Sequence, residues 1–162
     1  MFERFGEFDS FHEINKTAEG LKEEGDFESL KILAKENGLD PEDAQDYFDG
    51  ALPYLCTDLI AAMGKLQVEE DDLKPKNIMK DWTNYIRTLV SEDLQMRTAL
   101  RKKGKSLKGC MGYLLKWSFE HMDAIDSDIK KAAGINQQVK LGIPGITKAK
   151  TLIREYYLGG TK

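Results

Sequence analysis

A chain of 162 residues carrying 24 bases against 28 acids, a formal net charge of −4, suits one domain or one domain with a small appendage. No apolar run approaches the roughly 20 residues that cross a bilayer, and the acidic start MFERFGEFDS lacks the basic-then-apolar order of a signal peptide, which points to the cytoplasm. The charge is unevenly spread: residues 1 to 60 hold 16 acids and 5 bases, and the remainder holds 12 acids and 19 bases. Such a split predicts an acidic surface in the first part and a basic one in the second.

Ser10 followed by Glu13 has capping-box spacing, so a first helix is expected from Phe11 to about Glu24 with Phe11, Ile14, Ala18 and Leu21 on its inner stripe. Asp26 caps a second, Phe27 to Asn37, ended by Asn-Gly. Asp40 precedes Pro41, whose missing N–H costs nothing in a first helical turn, and a third helix follows to Phe48. A fourth is expected over 54 to 63, with Leu55, Leu59, Ile60 and Met63 inward. Four successive acids followed by Lys74-Pro75 read 67 to 76 (QVEEDDLKPK) as a linker between residues 1 to 66, an acidic helical layer, and residues 77 to 162, a basic helical module of the same compact unit. Asn77 to Val90 places Ile78, Trp82, Tyr85, Ile86 and Leu89 at helical spacing, and a further helix runs from about Ser91 to Leu100.

The stretch RKKGKSLKGCMGYLLKW contains Gly104-Lys105-Ser106, but a phosphate loop needs a glycine where Ala99 stands and a buried strand where Leu94 to Leu100 reads as helix, which leaves nucleotide hydrolysis by this motif the least favoured of three readings. Ser106 caps a helix in which Leu107, Cys110, Met111, Leu114, Trp117 and His121 share a broad buried face. Gly109 and Gly112 weaken such a helix by around 1 kcal/mol each relative to alanine, a cost that close approach of a neighbouring backbone would explain. Asp126 or Ser127 begins a short helix to Ala133, Gln138 to Leu141 is the one strand-like run, and Thr147 to Tyr157 forms a last helix released by Gly159 and Gly160. The fold expected is all-α, with seven or eight helices.

Two sets of side chains are candidates for recognition. Arg101, Lys102, Lys103, Lys105, Lys108 and Lys116 can neutralise phosphates, with Lys148 and Lys150 as a second group, although the lack of interleaved aromatics favours a solvated boundary. Asp40, Glu42, Asp43, Asp46 and Asp49 form an acidic face that can imitate a phosphate backbone and enter a basic groove. LGIPGITKAKTL has the outline of a helix-hairpin-helix turn, but Thr147 and Thr151 break the pattern, and a capped turn before the last helix fits better. The two cysteines, Cys56 and Cys110, stand apart from any partner at ligand spacing and read as buried apolar residues, and the two histidines, His12 and His121, lack companions for acid–base work. Neither a catalytic set, a cofactor site nor a metal site is expected, since Glu69 to Asp72 lack the glycine and ligand spacing of a calcium loop.

Lys105-Ser106, two residues, Gly109-Cys110 and then Tyr113, with the pair Tyr156-Tyr157 near the end, resembles the PcfK-like family of conjugative and phage-like elements, which is related to a family of type II anti-CRISPR proteins. The resemblance covers residues 105 to 157 and implies a bacterial mobile-element accessory protein that binds a protein partner, a Cas9-type effector, and blocks its engagement of nucleic acid. The alternative it leaves open is direct nucleic-acid binding by an accessory factor of conjugation or of a phage.

Overall fold

The computed structural model describes residues 2–159, so Gly160, expected to help release the last helix, lies outside the described residues. Among these, nine helices account for nearly all regular structure: α1 Phe11–Glu23, α2 Phe27–Glu36, α3 Pro41–Phe48, α4 Asp58–Leu73, α5 Ile78–Glu92, α6 Leu94–Arg101, α7 Leu107–Glu120, α8 Ser127–Ala132 and α9 Ile146–Leu158. The fold is all-α. Two residues of the expected strand, Lys140 and Leu141 (β2), pair antiparallel with Asp123–Ala124 (β1), too short a ladder to organise a core. The chain divides into two compact units, residues 1–108 and 109–162, and the division falls inside α7.

The first unit is built on α4, which packs against α1, α5 and α6, while α2 packs between α1 and α3 in the chain of contacts. Its caps follow the sequence. Ser10 Oγ accepts from the Glu13 N–H at 3.3 Å, and the Glu13 carboxylate reaches back to the N–H of Asp9 rather than of Ser10. Asp26 caps Ser29 and Asp40 caps Glu42 ahead of Pro41, but the helix expected to open at Ser91 does not: Ser91 belongs to α5, and Asp93 caps α6. Ile14, Ala18, Leu30, Leu33, Ala34 and Leu55 are the centre of one core, with Phe5, Phe8, Phe11 and Leu21 packed against it.

The expected linker does not exist as one: residues 67–73 are the second half of α4. Helical geometry turns successive acids about 100° apart, so they do not face one another. Glu69 is buried, Glu70 pairs with Arg87 of α5, and Asp71 accepts from Gln67 one turn earlier. This scattering also removes the cation site considered for Glu69 to Asp72. The helix stops at Lys74, whose φ of 49° is left-handed, just before Pro75. The inner face expected of this helix is corrected too: Ile60 is exposed, and Ala61, Ala62, Gly64, Lys65, Leu66 and Glu69 are buried.

Gly64 is there because another backbone touches it. A Cβ at Gly64 would lie 2.2 Å from the Asn37 carbonyl oxygen, and one at Gly38, which has φ +65°, would lie 2.3 Å from the Gly64 carbonyl oxygen. Two glycines thus let the α2–α3 turn rest directly on α4.

The segment before α1 is tied down along its length. The Arg4 and Phe5 N–H groups donate to the Glu36 carboxylate at 2.6 and 3.1 Å, and the Arg4 guanidinium donates to Ser29 Oγ at 2.7 Å. Glu7, Phe8 and Asp9 then engage residues 65 and 101–103.

In the second unit, α7 and α9 run past each other in opposite directions: Tyr113 Oη donates to Glu155 at 3.4 Å and its ring lies 6.1 Å from Tyr156, while Lys148 sits 5.7 Å from the Trp117 ring. Cys110, Met111, Leu114, Ala149, Leu152, Ile153 and Tyr157 are buried. Trp117 is only half-buried and His121 is exposed, stacked on Trp117 at 4.2 Å, so the inner face of α7 ends one turn earlier than its apolar spacing suggests. Gly142 packs on the end of α7, where a Cβ would meet the Ser118 carbonyl oxygen at 2.1 Å. No neighbour explains Gly112, whose Cβ position is open.

Candidate functional site

The loop 102–106 between α6 and α7 carries the motif that looked like a phosphate loop, and the first unit holds it from below. Lys65, with a side chain 0% exposed, ion-pairs with Glu7 and donates to the carbonyl oxygens of Lys105 at 2.8 Å and Lys102 at 3.3 Å. Glu69, one turn along α4, lies 3.9 Å from the same ammonium and accepts from the Leu107 N–H at 2.7 Å. A bound phosphate would use such N–H groups at a helix start; here the protein's own carboxylate takes one. Burial raises the Glu69 carboxyl pKa, against the lowering effects of the Leu107 N–H and of Lys65. Asp9 accepts from the Lys103 N–H at 2.7 Å, and that bond holds its carboxyl below the ordinary value.

Arg101 does not belong with the exposed cations. It is 3% exposed and donates to the Phe8 carbonyl at 2.9 Å, to Asn37 Oδ1 at 3.3 Å and to the Ala61 carbonyl at 3.5 Å, with Nε left without a hydrogen-bond partner. Burial lowers its pKa. Lys102 and Lys103 are exposed and Lys105 is half-buried on a loop backed by three acids, while Lys108 and Lys116 are exposed on α7, so the sixfold basic run is split and loses Arg101. A cavity of about 330 Å³ opens beside Arg101, between the start of α1, Asp58 of α4 and Arg97 of α6; Arg97 spends its donors on Asp58 and on the Val90 and Ser91 carbonyls.

The acidic face is better displayed. Glu42 and Asp46 of α3 and Asp49 at its C-cap are exposed at i, i+4 and i+7, opposite the buried Ala44 and Tyr47; Asp43 sits half-buried at the flank and Asp40 is exposed while serving as cap. Exposed Glu19 and Glu23 of α1 lie close enough to act on Tyr47, whose phenol is raised first by burial and then by their charges. Lys22 is turned inward, donating to the Tyr47 carbonyl at 2.6 Å and lying 4.7 Å over its ring.

In the second unit, Lys148 and Lys150 are exposed on α9, and Lys148 is the partner of Trp117 described above. The turn before α9 has Pro144 buried and Gly145 at the cap position without a side-chain cap, so the capped turn expected there is an uncapped one. Cys56 is buried and its thiol is pushed up to about 12 by that burial, and Cys110 is also buried and free of disulfide. Among the described residues, no three His, Cys, Asp or Glu side chains converge on a metal position, and no helix is long and apolar enough to cross a membrane.

Sequence reasoning missed Lys65 and Glu7, and met Glu69 only as one of a run of four acids. Their one signal is the i, i+4 spacing of Lys65 and Glu69, which in sequence is indistinguishable from a surface pair. The fold and these surfaces define a helical protein with a buried ionic lock and an acidic outer face. No family model matches the chain, and neither a curated protein nor a solved structure matches it.

Proposed function

We propose that the protein is a mobile-element accessory factor that works by docking: its α3 face enters a basic groove that a partner protein otherwise uses for nucleic acid. The observation that supports this is the outward stripe Glu42, Asp46 and Asp49, with Glu19 and Glu23 of α1 near the same helix. Carboxylates at such spacing steer a basic partner at long range and compete with phosphates for it. The resemblance of residues 105 to 157 to PcfK-like proteins makes a Cas9-type effector the partner to try first.

Pull-down and cleavage assays with a type II-A effector test the reading. A complex at micromolar concentration, reduced DNA cleavage, and loss of both in Glu42→Lys/Asp46→Lys would support it. Undiminished cleavage with no complex would remove it.

The second reading, direct nucleic-acid binding, rests on the exposure of Lys102, Lys103 and Lys108. It requires retardation of DNA or RNA at low salt that weakens steeply as salt rises. Retardation unchanged in Lys102→Glu/Lys103→Glu would sink it.

A further inference from the structure

The cavity of about 330 Å³ in the first unit has a mainly apolar wall, and a buried cation forms part of it. From α6, Leu94, Arg97, Thr98 and Arg101 line it at i, i+3, i+4 and i+7, one face of that helix. The start of α1, including Phe11, supplies most of the remaining wall.

Three of the four formal charges in this wall are matched. Asp58 pairs with Arg97 at 3.2 Å, and Arg97 gives further donors to the carbonyls of Val90 and Ser91. Asp9 accepts from the Lys103 N–H, with the charges of Lys102, Lys103 and Lys65 nearby. Arg101 is the exception. It is buried, its hydrogen bonds all go to uncharged acceptors (the Phe8 and Ala61 carbonyls and Asn37 Oδ1), and its Nε–H has none. No carboxylate among the described residues pairs with it, and burial lowers its pKa by more than the surrounding acids raise it. A cation taken out of water ordinarily has an anion beside it. The start of α1 adds to the same imbalance: the N–H groups of Phe11 and His12 find no acceptor among the described residues, and a helix start carries partial positive charge.

We propose that this cavity binds a small organic carboxylate, its carboxyl group beside Arg101 and the first turn of α1 and its apolar body against Phe11 and Leu94. One guanidinium is unmatched, so one negative charge completes the wall. A phosphate dianion would set its second charge against Asp9 and Asp58 and leave the apolar surface without contact. The cavity shares no residue with the α3 acidic face, and this ligand site does not depend on the docking proposed above.

Nuclear magnetic resonance of the full chain, titrated with benzoate and with hexanoate, tests it; benzamide, hexanamide and inorganic phosphate are the comparisons. At least one carboxylate should shift the amides of residues 9–12 and 94–101 at millimolar concentration and raise the melting temperature, since a ligand that prefers the native state stabilises it. Its amide counterpart, with the same body and no charge, should bind at least about tenfold more weakly. Phosphate should leave these amides unmoved. Thr98→Trp, at an exposed position, should keep the helical circular dichroism spectrum, fill the cavity and abolish the shifts. Leu94→Glu, also exposed, sets a like charge at the wall and should weaken carboxylate binding at least about tenfold. Arg101→Gln should erase the preference for the carboxylate over its amide; if that variant does not fold, the two exposed positions decide the matter. No response to either carboxylate, an amide that binds as well, shifts confined to the lysines of residues 102–108, or binding unchanged in Thr98→Trp would each overturn the proposal, whatever the outcome of the effector assays.

Discussion

The two units solve opposite problems. Residues 2–108 bury charge, closing Lys65, Glu69 and Arg101 inside helices that otherwise supply aliphatic contacts. Residues 109–159 leave oil outside, with Leu115, Phe119, Ile129, Ile143 and Ile146 all more than half exposed. A buried charge accepts only arrangements that partner it, so the first unit is bound to one internal solution. Exposed apolar side chains ask for a second surface, and a patch rimmed by both signs of charge is how such a surface is presented.

The sharpest way to break this contrast is to remove Lys65. Lys65→Met strips the ammonium from Glu7, Glu69 and two carbonyls, and should cost about 3–5 kcal/mol in urea unfolding. Amide exchange should rise throughout α4 and α6 while α9 keeps its protection, if the units open independently. Next come the two backbone contacts. Gly64→Ala forces a methyl onto the Asn37 carbonyl and Gly142→Ala forces one onto the Ser118 carbonyl; each should cost about 1–3 kcal/mol, the first felt in α2 and α4 and the second in α7 and β2. Either change melting both units in one step would show a single cooperative block.

Glu69 gives a smaller effect with a definite sign. Its carboxyl is raised above the ordinary 4.5, so the unfolded chain releases this proton first. Its contribution to stability is full below that value and is lost as pH rises from 4.5 through the folded-state pKa. Glu69→Gln keeps an oxygen for the Leu107 N–H and removes the titration; its stability relative to the native chain should therefore improve as pH climbs through that window, read from urea midpoints at a series of pH values. Asp9 works the other way, its lowered pKa adding stability above the unfolded value that falls away as acid is added. Smallest of all, Gly112→Ala should stabilise α7 by about 1 kcal/mol, since the position is open and helical, and a thermal melt would record it as a modest rise.

Much of the first unit was legible because caps are local chemistry. Ser10, Asp26 and Asp40-Pro41 mark helix starts by groups within three residues of one another, and α3 lies at the bounds its sequence gives. The acidic run 67–72 misled for the converse reason: what stabilises it is Arg87 across on α5 and a buried ammonium, neither of which is local. Arg101 was misplaced among surface cations because its acceptors are carbonyls at residues 8 and 61 and an amide at residue 37, visible only once the chain is closed. The acidic set around α3 was picked out as a cluster of charges, which does not tell exposed Glu42 and Asp46 from half-buried Asp43, and Leu115 and Phe119 of α7 were not assigned to either face.

The tethering of residues 4–9 has a bearing on how the chain is made. Glu7, Phe8 and Asp9 are synthesised well before their partners at residues 65, 101 and 103, up to 94 positions downstream. Local helices α1 to α3 can form and pack while synthesis continues, but Phe8 and Asp9 have to wait for Arg101 and Lys103 before they can be latched, a long loop closed late. A nascent chain stalled short of Arg101 would therefore hold Arg4, Phe5 and Glu7 through Ser29, Glu36 and Lys65 while Phe8 and Asp9 lack their later partners.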